Sequence, residues 1–111
     1  MDRINQYAKA VQEAILEHQL FAKQAGNQHY ECVFDMVNNR YLLVEVGWQN
    51  DERFYATVIH IDIIDGKLWI QRDATEDGVV DALLDRHIPK DHIVLGYRSP
   101  FIRQFTEFAV A

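Results

Sequence analysis

Between Arg53 and Arg72 the chain reads RFYATVIHIDII, then Asp65-Gly66, then KLWIQR. Two runs rich in β-branched and aromatic residues, joined by Asp-Gly, are a strong short-range signal for a β-hairpin. The tight turn needs positive φ at both central positions, and Asp and Gly tolerate it. This hairpin commits the chain to an antiparallel sheet, and its flanks extend that sheet. HYECVFDMV (29–37) alternates Tyr30, Cys32, Phe34 and Met36 against a more polar face. Asn38-Asn39 supplies a two-residue turn into RYLLVEVGW (40–48), and Gln49-Asn50-Asp51-Glu52 turns again into the long run 53–64. Four hairpin-linked strands make a meander. Along the longest strand the alternation places Tyr55, Thr57, Ile59, Ile61 and Ile63 on one face, with Phe54, Ala56 and Val58 on the other.

Helices bracket the meander. Ile4, Tyr7, Ala8, Val11 and Ile15 recur at three- and four-residue spacing, which predicts an amphipathic helix from residue 2 to about 22. Asp2 is placed to cap it, Gly26-Asn27 to stop the chain beyond it, and Glu13 and Glu17 fall on the solvent side. After the sheet, TEDGVVDALLDRHI sets Val79, Val80, Leu83 and Leu84 at helical spacing. Asp73 or Thr75 is expected to cap this second helix, with Asp73 and Glu76 forming a capping box, Glu76 and Asp77 in the first turn and Pro89 as the stop. HIVLGY (92–97) reads as a short strand, Ser99-Pro100 as the start of a helical turn through Arg103, and TEFAVA closes the chain. The expected class is α+β. It comprises one domain over residues 1–111: an N-terminal helix, an antiparallel meander of about four strands, a second helix, and a short C-terminal strand and helical turn. The helices lie mainly on one sheet face.

Charge and cysteine content narrow the function. Seventeen acids face eleven bases, for a net charge of −6, and the bases form no block. Nucleic-acid affinity draws on clustered Lys and Arg, and no helix-turn-helix, zinc finger or basic-aromatic strand is present in the sequence. No apolar run approaches the ~20 residues of a membrane helix, so a cytoplasmic location is expected. The single cysteine, Cys32, allows no internal disulfide and reads as a small core residue. Most acids near the Asp-Gly hairpin serve turns and helix starts, which leaves His60 and Asp62, two apart on one strand and so on one face. A metal site needs a third or fourth ligand, and His18, His29, His87 and His92 stand at no diagnostic spacing. Asp65-Gly66-Lys67 is a poor match to a nuclease Asp-x-Lys motif, because its glycine belongs to a turn. Glu45, inside an apolar run, calls for a partner such as Arg40, Arg53 or Arg72 if buried. No catalytic, cofactor-binding or metal-ligating residue is assigned, and no cofactor.

The stretches IHIDIIDGKLWIQ, TEDGV, IPKDHIVLGYRSP and TEFAVA, with VEVGW upstream and the opening helix, resemble the XisI family, the fdxN element excision controlling factor proteins. The resemblance spans essentially the whole chain. Family members carry Gly where Ala74 stands and often Asn at Glu45; neither departure breaks the pattern. The resemblance implies a non-enzymatic accessory role in programmed DNA excision, exercised through contacts with a XisH-like protein and a site-specific recombinase. Under that reading Glu76, Asp77, Asp81 and Asp85 are the candidate partner contacts. A rival reading is a small DNA-binding excision factor using Arg98 and Arg103 on phosphates, and a weaker one is a Mg²⁺-dependent nuclease. Because the meander is apolar on both faces, a homodimer is expected, joined through the uncovered sheet face or TEFAVA.

Overall fold

The computed structural model describes the backbone of residues 2–25 and 29–111 and the side chains of 3–22 and 29–111. The Asp2 cap and the Gly26-Asn27 stop lie outside the described residues. Helix α1 (Asp2–Ala25) leads into strands β1 (His29–Asp35), β2 (Arg40–Gln49), β3 (Glu52–Ile64) and β4 (Lys67–Asp73). Helix α2 (Val80–Leu84), a 3₁₀ turn at Lys90–His92, strand β5 (Ile93–Leu95) and helix α3 (Pro100–Arg103) complete the chain. The five strands lie in sequence order, β1 to β4 antiparallel and β5 parallel to β4, so the sheet is mixed and α2 sits in the crossover.

Asp65 and Gly66 take φ of 52° and 77°, and Ile64 pairs with Lys67 across them, which makes the two-residue hairpin the sequence predicts. The other turns differ from expectation. Asp35 pairs with Arg40, so the first loop has four residues, Met36 to Asn39, and Met36 leaves the strand for solvent. The Asp35 carboxylate organises that loop by accepting from the backbone N–H of Val37 and Asn38, both at 3.0 Å. Gln49 pairs with Glu52, which shrinks the second turn to Asn50-Asp51, with Asn50 at φ 57°.

The core lies between the sheet and the two longer-range packing elements, α1 and α2. Val11, Ala14 and Ile15 of α1 meet Tyr41, Leu43, Ile59, Ile61, Leu68 and Ile70 of the sheet, with Val79, Leu83 and Ile93 closing the side. Ile4, placed in the apolar stripe by spacing, is exposed instead. Cys32 is partly buried against the core, and burial pushes its thiol up. The expected alternation along β3 breaks at a bulge: Leu43 pairs with Ile59 but Val44 with Thr57, so Val58 is the extra residue. Tyr55 and Thr57 therefore point away from Ile59, to the face opposite α1.

That second face is half covered. The C-terminal segment runs over its β4–β5 side, where Val94 bridges Ala109 and the Ala109 N–H donates to the Ile93 carbonyl at 2.9 Å. Arg103 lies over the Trp69 ring at 5.1 Å and donates to the carbonyls of Arg98 and Val110. The β1–β3 side of this face keeps Leu42, Val44 and Thr57 partly exposed.

Candidate functional site: two adjoining acidic hollows

The second helix is shorter than its sequence pattern and starts later, and this shapes the surface beside it. Asp73 ends β4 rather than capping α2. Its carboxylate accepts from Thr75 N–H at 3.1 Å, from the Thr75 hydroxyl at 2.5 Å and from Val79 N–H at 2.7 Å. Thr75 Oγ1 in turn accepts from Gly78 N–H at 3.0 Å. These bonds fold residues 73–79 into a tight loop. The helix begins at Val80 with Val79 as its N-cap residue, so there is no capping box, and Glu76 and Asp77 sit in the loop rather than in the first turn. The acid in the first turn is Asp81. Nor does Pro89 stop the helix: it ends at Leu84, and His87 supplies the left-handed break at φ 67°.

The loop stands off the sheet and leaves two hollows between itself, α1 and the strands. The larger, about 570 Å³, is lined by Phe21, Tyr30, Leu43 and Val58 on its apolar side and by Glu76 and Asp77 on its rim. The smaller, about 260 Å³, lies between Glu17 and Phe21 of α1 and Asp77, Asp81 and Asp85. His18, Phe21 and Asp77 border both, so the hollows form one surface. All four acids singled out from the sequence thus meet around it. Sequence reasoning missed Glu17, His18 and Phe21, because Phe21 falls off the apolar stripe of α1; it stands 66% exposed over the hollows. Arg86 clamps the back of this region. Its guanidinium lies 3.6 Å from both Glu13 and Glu17 and donates to the Ala82 carbonyl at 2.9 Å. Gln19 donates to the Tyr30 carbonyl at 2.8 Å and holds the far end of α1 against β1.

Glu45 finds a different partner from the arginines expected. Tyr30 donates its hydroxyl to Glu45 Oε2 at 2.9 Å, and burial, then this carboxylate, hold the Tyr30 phenol above its ordinary range. His60 and Asp62 do share a face, 2.8 Å apart, on the side away from α1. Asp62 is the one buried charged side chain among the described residues, 6% exposed. Its oxygens are satisfied by His60, by Gln71 Nε2 at 3.3 Å and by Arg40 Nε at 3.5 Å. Gln71 reaches it because a second bulge, opposite His60, leaves Gln71 unpaired on β4. The arrangement is an ion pair of a strand interior. Among the described residues no three His, Cys, Asp or Glu side chains converge.

The residues of the rival readings are also placed. Asp65 is exposed in its turn, and Lys67 Nζ donates to the Ala111 carbonyl at 2.7 Å. Arg98 lies over the Tyr97 ring at 5.1 Å, and Arg103 is held by Trp69 and two carbonyls as described above. Arg103 thus spends two of its five N–H donors on the C-terminal segment, while the Arg98 side chain is exposed beside Tyr97.

The model of the family described as XisI protein matches residues 1–110. The chain belongs to the XisI family. A crystal structure of the fdxN element excision controlling factor XisI from Anabaena variabilis superposes with a TM-score of 0.82 at 28% identity, covering 98% of this chain and 99% of that one. A XisI-like protein from the same organism gives 0.72 at 31% identity, covering 87% and 99%. No curated protein matches. The α+β XisI fold is thus shared over the whole domain, and the chain resembles an excision controlling factor by family and by architecture.

Proposed function

We propose that this XisI-family chain is a non-catalytic accessory factor in programmed DNA excision, working by holding another protein rather than by acting on DNA. The paired hollows carry this reading. An apolar floor of Leu43, Val58 and Tyr30 under an exposed Phe21 can seat an aromatic or aliphatic anchor. The rim of Glu17, Glu76, Asp77, Asp81 and Asp85 selects an anchor flanked by Lys or Arg, since opposite potentials steer association and fix the choice of partner. A basic surface on a XisH-like protein would meet that requirement, and a site-specific recombinase would be the enzyme this pair serves.

The test is binding of the purified chain to a purified XisH-like protein. Reversing Glu76, Asp77, Asp81 and Asp85 to Lys is expected to weaken the complex by about tenfold or more, or roughly 1.4 kcal/mol. The fold is expected to lose less than about 1 kcal/mol, mostly from Asp81 at the helix dipole. Phe21→Asp is expected to weaken the complex as well. Binding that survives both changes sinks the docking model. A gel shift with the chain alone tests the DNA-binding reading, since phosphate-driven binding would fall steeply as salt rises.

A further inference from the structure

The β2–β3 hairpin outruns both of its neighbours. Among the described residues β1 accompanies β2 as far as Val46, which pairs with His29, and β4 leaves β3 at Ile59, which pairs with Asp73. Beyond these points the chain continues as a two-stranded arm with Asn50-Asp51 at its tip, in a molecule whose longest dimension is 43 Å. Arg72 Nε donates to the Thr57 carbonyl at 2.6 Å and Ala74 N–H to the Val58 carbonyl at 2.8 Å, which closes the base of the outer edge. From Glu52 to Ala56 that edge of β3 has no strand beside it among the described residues, a length of about 17 Å at ~3.4 Å per residue.

A two-stranded hairpin is marginally stable in water by itself, and an open edge is a template for pairing. Proteins that must stay monomeric blunt such edges with charge, proline or bulges. Here the charges stop at Glu52 and Arg53, and Phe54, Tyr55 and Ala56 follow without one. The bulge comes later, at Val58. Val46, Trp48, Arg53 and Tyr55 share the arm's face away from α1, with Trp48 65% and Tyr55 71% exposed and Arg53 over the Trp48 ring at 5.2 Å. On the other face Phe54 and Ala56 are half-buried, so the exposed aromatic surface of the arm is the face away from α1.

From this geometry we infer that the arm is a self-association surface, with the Glu52–Ala56 edges of two copies pairing antiparallel about a two-fold axis. The edge is complementary to itself. An axis through Phe54 sets Arg53 of each copy opposite Tyr55 of the other, a cation against an aromatic ring, and puts each Glu52 opposite an alanine rather than a like charge. In the resulting continuous sheet Arg53 of each copy lies between its own Trp48 and Tyr55 of the other copy. The contact is small, so the dimer forms reversibly with concentration. This inference does not rest on the acidic hollows, which lie on the opposite sheet face.

Sedimentation velocity of the full chain, from low to high micromolar concentration, provides the test. A monomer–dimer equilibrium is expected. Changing Trp48 and Tyr55 together to Lys shifts its constant by about tenfold or more, equivalent to roughly 1.4 kcal/mol. Phe101→Asp with Phe105→Asp, on the exposed aromatic pair of the C-terminal segment, leaves it unchanged. Amide exchange of the unaltered protein gives a second readout that needs no variant: protection of residues 53–56 rises with concentration. The inference fails if the chain stays monomeric throughout, if the double-lysine variant associates as before, or if protection at 53–56 is independent of concentration. It also fails if only the Phe101 and Phe105 changes break the dimer. An arm needed for binding the XisH-like protein but not for self-association likewise overturns it.

Discussion

Single side chains decide how this chain turns its acids to use. Asp35 accepts two backbone N–H groups and the Asn38 side-chain amide, and these bonds hold its carboxyl below the usual Asp range. A carboxyl depressed in the folded state adds stability above its unfolded value of about 3.9 and loses it as pH falls through the lower folded value. The difference in unfolding free energy between the natural chain and Asp35→Asn is therefore expected to shrink as acid is added, read by urea denaturation across the acid range. Asp62 works otherwise, as a buried anion tied to His60, Gln71 and Arg40. Asp62→Ala strands those donors on the sheet face and is expected to cost about 1–3 kcal/mol in the same measurement. Arg40→Ala costs less, because the carboxylate keeps its other two partners. Asp62 and His60 were visible in the sequence as a same-face pair. Their partners were not, since Gln71 is brought in by a bulge and Arg40 by strand register.

Elements were legible where local chemistry fixes them and illegible where long-range hydrogen bonds do. Asp65-Gly66 makes its own turn, and the meander follows from it. The second helix is shorter than its sequence pattern because Asp73, a good cap by type, spends its oxygens on Thr75 and Val79 within a loop. The alternation expected along β3 fails before Val58, at Tyr55 and Thr57, since a bulge leaves no mark in a run of β-branched and aromatic residues. β5 was recognisable as a strand, but its parallel docking on β4 depends on closeness at Gly96. A Cβ there would stand 3.1 Å from the Ile70 carbonyl and 2.8 Å from Gln71 Oε1. Gly96→Ala is expected to destabilise by about 1–3 kcal/mol through overpacking. It would also push Gln71 off Asp62, so the Gly96→Ala and Asp62→Ala losses should add to less than their sum, checked by a double-mutant cycle.

For the molecule as a whole, the sheet separates two surfaces. The α1 face carries the core and the acidic hollows; the other carries the ion pair, the C-terminal segment and the exposed side of the arm. The acids on the hollows were found from the sequence as a charged stretch, but their shared rim needs the turn of α1 that brings Glu17 and Phe21 alongside. The two tryptophans mark the two ends of the far face, Trp48 on the arm under Arg53 and Trp69 beneath Arg103. Each indole is a separate optical reporter. Emission from a Trp69→Phe chain follows the wetting and drying of the hairpin tip, and emission from a Trp48→Phe chain follows lifting of the C-terminal segment. A titration that shifts one spectrum to the blue while leaving the other still would assign the event to one end of the sheet without a further structure.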